Sequence, residues 1–336
     1  MNNKIDTSIL TKGFYDETLS KDIDLVQEIK KLLKEKNAIL LAHFYQTGDI
    51  QDIADFVGDS LKLAQEAEKT TADMIVFAGV HFMAETAKIL NPNKKVLLPD
   101  MQAGCSLAES APYEDFKKFK EAHPNHVVVS YVNSSSEVKA MTDIICTSSN
   151  ADYIINSIPK DKEIIFAPDK NLGSYLEKIS DRKMLLWDGA CHVHKEFSLE
   201  HIIKLKKENP TAKVISHPEC EKPILEVSDF VGSTSGILKY TQTNDADIFI
   251  VATESGILHQ MKKANPNKTY IPAPPNNIDG ISCACNDCEY MKLNNLKKIY
   301  LALKYEKPEI LMDESIRVKA EIPIKRMLEI SAKHNL

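Results

Sequence analysis

Arginine is almost missing from this 336-residue chain: Arg182, Arg317 and Arg326 are the only three. The rest of the positive charge is lysine. An anionic substrate would therefore be held mainly by hydroxyls, backbone N–H groups and helix N-termini rather than by guanidinium forks. A net charge of −6 and a pI near 6.0 argue against nucleic acid as the main partner, because neutralising phosphates needs clustered cations. No apolar run approaches the ~18 residues of a membrane span, and the leading MNNKIDTSIL has no apolar core of the signal-peptide kind. A cytoplasmic protein with no membrane partner is the expectation. Compact four-cysteine runs are also absent. In a reducing compartment the seven cysteines, at 105, 146, 191, 220, 283, 285 and 288, are expected to be free thiols, and grouped ones to be metal ligands or catalytic thiols.

What is present is a globular composition, 43% hydrophobic and 27% charged, and a length that suits two or three domains at ~150 residues each. It also contains a repeat. The stretch AHFYQTGDIQDIADFVGDS, residues 42–60, returns as SYVNSSSEVKAMTDIICTS at 130–148 and as SHPECEKPILEVSDFVGST at 216–234. One alignment with offsets of 88 and 86 residues carries all three. It places His43, Tyr131 and His217 in one column, Tyr45, Asn133 and Glu219 in a second, and Ser60, Ser148 and Thr234 in a third. A period near 87 is too long for a solenoid unit and about right for a small domain.

Within each repeat, short all-apolar runs alternate with helical spacings, the pattern of βαβ units. Strands are expected at 38–42, 55–57, 74–78 and 95–98, then at 126–130, 143–145, 163–166 and 183–187, then at 212–216, 229–231, 247–251 and 268–271. Helices are expected at 23–36 and 291–305, from Ser148 in the second repeat, and at 322–333 near the C-terminus; the loop at 272–282 should be irregular. The expected fold is α/β: three similar αβα domains with small parallel sheets, in a pseudo-threefold arrangement. Their spans are 23–110, 111–196 and 197–290, after a lead-in at 1–22 and before a helical segment at 291–336. Loops after parallel strands gather at one sheet edge, where α/β proteins bind ligands. All three columns belong to such loops.

Each repeat also supplies a cysteine after its fourth strand: Cys105, Cys191, and one or more of Cys283, Cys285 and Cys288. Three thiolates could cradle a [4Fe–4S] cluster with one iron left free, or a metal with an open coordination position. The competing readings are ordinary buried thiols, or a redox pair or half a zinc site at Cys285 and Cys288. Cys146 and Cys220 fall outside the pattern and read as packed thiols. His43, Tyr45, His217 and Glu219 suit proton transfer near neutral pH. Tyr131, Asn133, Ser60, Ser148 and Thr234 add hydroxyl and amide donors, the hydroxyls at expected helix N-termini where anions are favoured.

The segments AHFYQ, IADFVGDSLKLA, YVNSSSE, ICTSSNA, HPEC and VGSTSG resemble, in order, those of the quinolinate synthase family, over roughly residues 23 to 330. The resemblance implies three α/β domains around a [4Fe–4S] cluster. It also implies a condensation of iminoaspartate with dihydroxyacetone phosphate to quinolinate, releasing phosphate and two waters. Carried over by motif, the cluster ligands would be Cys105 in AGCSLA, Cys191 in DGACHVH and Cys288 before EYMKLNNL. Substrate contacts would fall on His43, Tyr45, Ser60, Tyr131, Asn133, Ser148, His217, Glu219, Ser233 and Thr234, and proton transfer on His43, Tyr45, His217 and Glu219. An aspartate oxidase supplying iminoaspartate would be the partner enzyme. The chain departs from the family pattern at Phe44, at His192 and at Ser282. From a different class, a zinc-containing or metal-free protein binding a small dicarboxylate is the alternative.

Overall fold

A computed structural model describes residues 11–276 and 286–336. The chain forms two compact units, the first within Met1–Cys105 and Glu289–Glu314, the second within Ser106–Cys288 and Ser315–Leu336. The first unit contains strands β1 (Ala38–His43), β2 (Phe56–Gly58), β3 (Met74–Ala78) and β4 (Lys95–Leu97). The second contains β5 (Val127–Tyr131), β6 (Ile144–Cys146), β7 (Ile164–Ala167) and β8 (Leu185–Leu186), then β9 (Lys213–Ser216), β10 (Phe230–Val231), β11 (Ile248–Ala252) and β12 (Thr269–Pro272). These twelve strands make three four-stranded, all-parallel sheets with one order: β2-β1-β3-β4, β6-β5-β7-β8 and β10-β9-β11-β12. The expected α/β fold of three like αβα sheets is what the chain adopts.

The central strands are buried along their length, as all-apolar runs between helices should be; every residue of β3 and of β7 is buried. In the first unit, helices Leu25–Glu35 and Leu296–Tyr305 close one side of the sheet, with Ile29, Leu33, Leu40, Val76, Ile299 and Leu303 in one core. Beneath the sheets runs a column that the motif reading passes over. Asp55, Asp143 and Asp229 each precede the edge strand, and each carboxylate accepts from a backbone N–H of the neighbouring strand: Leu40 at 2.7 Å, Val128 at 2.8 Å and Val214 at 2.9 Å. The same aspartates donate their own N–H groups back to the carbonyls of Leu40, Val128 and Val214. Each pair of strands is thereby held in register from its N-terminal end.

Several boundaries differ from the expected ones: the helix expected at 291–305 is two, Glu289–Lys292 and Leu296–Tyr305, and the strand expected at 183–187 is only Leu185–Leu186. The helix expected from Ser148 begins at Ala151. Asn150 Oδ1 takes the Thr147 N–H at 2.6 Å and the Asn150 N–H bonds the Thr147 carbonyl, closing a turn ahead of the helix. Ser60 and Thr234 are first residues of their helices, whereas Ser148 lies before its own. The C-terminal helix, expected at 322–333, runs Glu314–Lys333 with Pro323 inside. An interior proline costs ~3 kcal/mol. Burial of Ala320, Ile324, Met327 and Leu328 on one face offsets it at roughly 1.5–3 kcal/mol for a large apolar side chain. Helix Leu199–Glu208, capped by Ser198, was not among the expected elements. Most of the loop expected at 272–282 lies outside the described residues.

Surface charge in the first unit makes a pH test possible. The Glu306 carboxylate pairs with Lys36 at 2.6 Å and with Lys95. Hydrogen bonds from Lys36 and then Lys95 hold it down to about 2 from its ordinary 4.5. A carboxyl depressed on folding stabilises the fold above its unfolded pKa and loses that contribution as pH falls through the folded one. Glu306→Gln is therefore expected to flatten the pH dependence of the unfolding midpoint between about pH 4.5 and 2. The difference should shrink in high salt, as a screened surface interaction must.

Candidate active site

In the second unit, the loops after β5 and β9 bring two columns of the repeat into contact. Tyr131 closes β5, and its hydroxyl donates to Glu219 Oε1 at 2.6 Å. His217 follows β9; its Nδ1 lies 3.7 Å from Glu219 Oε1 and accepts from the Glu219 N–H at 3.4 Å, while its Nε2 lies 3.2 Å from Ser148 Oγ. The Glu219 carbonyl takes the Asn171 side-chain amide at 3.1 Å. The register Tyr131↔Cys146 and Ser216↔Val231 sets these loops beside those carrying Ser148 and Ser233–Thr234. Asn133 sits two residues past Tyr131, half-buried.

A second imidazole completes the group. His194 Nδ1 lies 3.0 Å from Glu219 Oε2 and 3.3 Å from Cys191 Sγ, its Nε2 lies 3.0 Å from Thr253 Oγ1, and its ring stacks on His217 at 4.6 Å. His194, His217 and Glu219 are all at most 3% exposed. Burial alone would raise the Glu219 pKa, but the His194 and His217 imidazoles and the hydrogen bonds from His194 and Tyr131 hold it down to about 2. Asp169 behaves oppositely: burial first, and then the Glu219 charge, push its carboxyl well above the ordinary range. The result is a carboxylate kept ionised between two imidazoles and a phenol, groups able to hold and pass protons near neutral pH.

The cysteine loops are held by buried acids. The Cys191 N–H points to Asp169 Oδ2 at 3.3 Å, and the Cys288 N–H to Glu254 Oε1 at 3.2 Å. Both acids stand two residues past the end of their repeat's third strand, at Ala167 and Ala252, and both are 0% exposed. In the first unit that position is Val80, and the Cys105 loop is tied instead by the His81 N–H to the Ala103 carbonyl at 2.7 Å. His43 and Tyr45 form their own group there: the Tyr45 N–H bonds His43 Nδ1 at 3.1 Å, the rings meet edge to face at 4.4 Å, and Lys292 Nζ donates to the Tyr45 carbonyl at 2.6 Å. Ser60 opens the helix behind β2, with Asp59 as its cap.

Sequence reasoning passed over His194, Asp169, Thr253 and Glu254. His194 had a visible signal: with Cys191 at the N-cap of helix His192–Lys195, a C-x2-H spacing puts thiol and imidazole one turn apart. Extending the repeat alignment without a gap does not reveal the two acids, because its offsets set Asp169 against His81 and Ser255; they become equivalent only when the ends of the third strands are matched. The arginines are occupied in the scaffold. Arg182 donates to the carbonyls of Ile155, Ile158, Pro159 and Lys162, Arg326 to that of Asp143, and Arg317 pairs with Glu321.

The thiols divide cleanly. Cys105, Cys191 and Cys288 are half-buried and in no disulfide. Cys146 and Cys220 are 0% exposed, and burial pushes both thiols up, away from the thiolate a metal requires. Cys283 and Cys285 lie outside the described residues. Of the described cysteines, Cys105 and Cys191 are those the repeat pattern names, and Cys288 is one of its three candidates in the third repeat.

Three like parallel sheets, with strand-end loops carrying a His–Glu–Tyr–His group next to a cysteine, describe a multi-sheet α/β protein with a candidate acid–base and metal site. Residues 27–329 match the family described as Quinolinate synthetase A protein. The quinolinate synthase of Trichormus variabilis is 59% identical over 309 residues, covering 92% of this chain and 94% of that protein. That of Chloroherpeton thalassium is 57% identical over 92% of this chain and 95% of its own length. That of a Nostoc species is 58% identical over 92% and 94%. The chain belongs to the quinolinate synthetase A family. No helix among the described residues is long and apolar enough to cross a membrane.

Proposed function

We propose that this chain is a quinolinate synthase that condenses iminoaspartate with dihydroxyacetone phosphate, releasing phosphate and two waters. The observation that carries this reading is the Tyr131–Glu219–His194/His217 group beside Cys191 in a chain of this family. Cys105, Cys191 and Cys288 would hold a [4Fe–4S] cluster, which when bound supplies a Lewis-acidic iron. The chain's own residues do the rest. Glu219 and His217 take and return protons during enolisation and dehydration, with Tyr131 orienting the carboxylate, and His43 with Tyr45 supplies a second proton-moving pair. Asn133, Ser60, Ser148, Ser233 and Thr234 hold carboxylate and phosphate oxygens through hydroxyl, amide and helix-terminal N–H donors. Segments 23–110, 111–196 and 197–290 act as three modules that each contribute one cysteine. Iminoaspartate would come from an aspartate oxidase in the cytoplasm.

Anaerobic purification tests the assignment. The protein should be brown, carry about four irons and four sulfides per chain, and form quinolinate from the two substrates. Serine at Cys105, Cys191 or Cys288 should abolish colour and turnover, and serine at Cys146 should leave both intact. A colourless protein that binds a dicarboxylate in air and turns nothing over would replace this reading with that of a binding protein.

A further inference from the structure

We propose that Cys191, His194 and Glu219 form a mononuclear site for a divalent ion of the zinc, cobalt or iron(II) class, exclusive of the three-cysteine cluster because both need Cys191. One ligand atom from each residue falls within a 4.8 Å span. His194 Nδ1 lies between the others, 3.0 Å from Glu219 Oε2 and 3.3 Å from Cys191 Sγ. A tetrahedral ion with bonds of about 2.0–2.3 Å sets its ligand atoms roughly 3.3–3.6 Å apart. Side-chain adjustments of an ångström or less would therefore accommodate it.

The outer partners are those such a site needs. Thr253 Oγ1 at 3.0 Å from His194 Nε2 lets that nitrogen keep its proton and turns Nδ1 into a ligand. Tyr131 donates to the Glu219 oxygen that the ion would leave free. Asp169 fixes the backbone under Cys191. One thiolate and one carboxylate balance a divalent charge, and thiolate, imidazole and carboxylate together suit zinc, cobalt and iron(II) rather than magnesium or calcium. Three protein ligands leave a tetrahedral ion one position for water or an added ligand. All three ligands belong to the second unit, and neither Cys105 nor Cys288 takes part. The inference thus stands independently of the cluster assignment, and a resident ion would block cluster assembly.

Cobalt(II) titration of the cluster-free, reduced full chain tests this. One equivalent should bind with a thiolate-to-cobalt charge-transfer band and the d–d spectrum of low coordination. The spectrum should persist in Cys105→Ser and Cys288→Ser and vanish in Cys191→Ser and His194→Gln. Thr253→Val, which leaves all three ligands, should weaken binding by about 10–100-fold. Zinc-loaded wild type should resist cluster reconstitution until a chelator removes the ion. Absence of the band in the wild-type chain, or its survival in both Cys191→Ser and His194→Gln, overturns the proposal. Loss of the band in Cys105→Ser would also overturn it while leaving the cluster reading untouched. A cobalt site in a chain that never assembles a cluster would sink only the proposed function.

Discussion

Replacing Glu219 by glutamine is expected to lower kcat by about 10²–10⁴-fold, the range for losing a positioned acid–base group, while the chain stays folded. The substitution keeps the shape of a side chain that is 3% exposed and keeps one oxygen to accept from Tyr131. It removes the charge that His194 and His217 hold in place. An amide neither takes a proton from substrate nor stabilises an imidazolium beside it. Tyr131→Phe should be milder. It removes a hydrogen bond to a charged acceptor, worth about 1.5–3 kcal/mol, and leaves the carboxylate able to work. Steady-state kinetics on chains with matched iron content read the difference. A Glu219→Gln enzyme with unchanged kcat would remove Glu219 from the proton-transfer role, and the wild-type unfolding midpoint checks that the fold survived.

The second large effect is expected two residues ahead of a cysteine. Gly189→Ala should destabilise the second unit by about 1–3 kcal/mol, the usual range for overpacking, and should also impair metal loading at Cys191. A methyl group at Gly189 would sit 2.5 Å from the Pro168 carbonyl oxygen and against the Ser110 side chain. The nearest atom is the Ser110 hydroxyl, which can rotate away, but the Pro168 carbonyl is backbone and no rotamer change relieves it. Gly189 also pairs with Asp169 in an isolated bridge, and its carbonyl accepts from the Lys170 N–H at 2.8 Å. Pushing this loop outward separates Cys191 from the Asp169 carboxylate that fixes its backbone. Denaturant unfolding gives the stability change, and iron or cobalt uptake gives the loading. Wild-type loading together with a lowered midpoint would show that the glycine serves packing alone.

Much of this architecture is written locally. The twelve strands are short apolar runs between helical spacings, and period-2 and period-3.6 patterns express themselves within a few residues wherever both faces are buried. The repeat marks the equivalent strand-end positions because equal spacings along equal βαβ units arrive at equal places, and His217, Glu219, Tyr131 and Ser148 all fall in its columns. Boundaries were less legible where a side chain competed with the backbone, as Asn150 does before Ala151, or where burial carried a helix through Pro323.

The sequence by itself determined the sheet content and the spacing of the loops, since both depend on neighbours close along the chain. Only the tertiary structure decided which loop residues touch. Tyr131 and Glu219 are 88 residues apart, and His194 and Thr253 are 59 apart. No local pattern encodes a contact between ends of different sheets. For His194 the sequence shows the C-x2-H spacing to Cys191, but only folding brings it to Glu219, where burial removes water and lets those charges set one another's protonation.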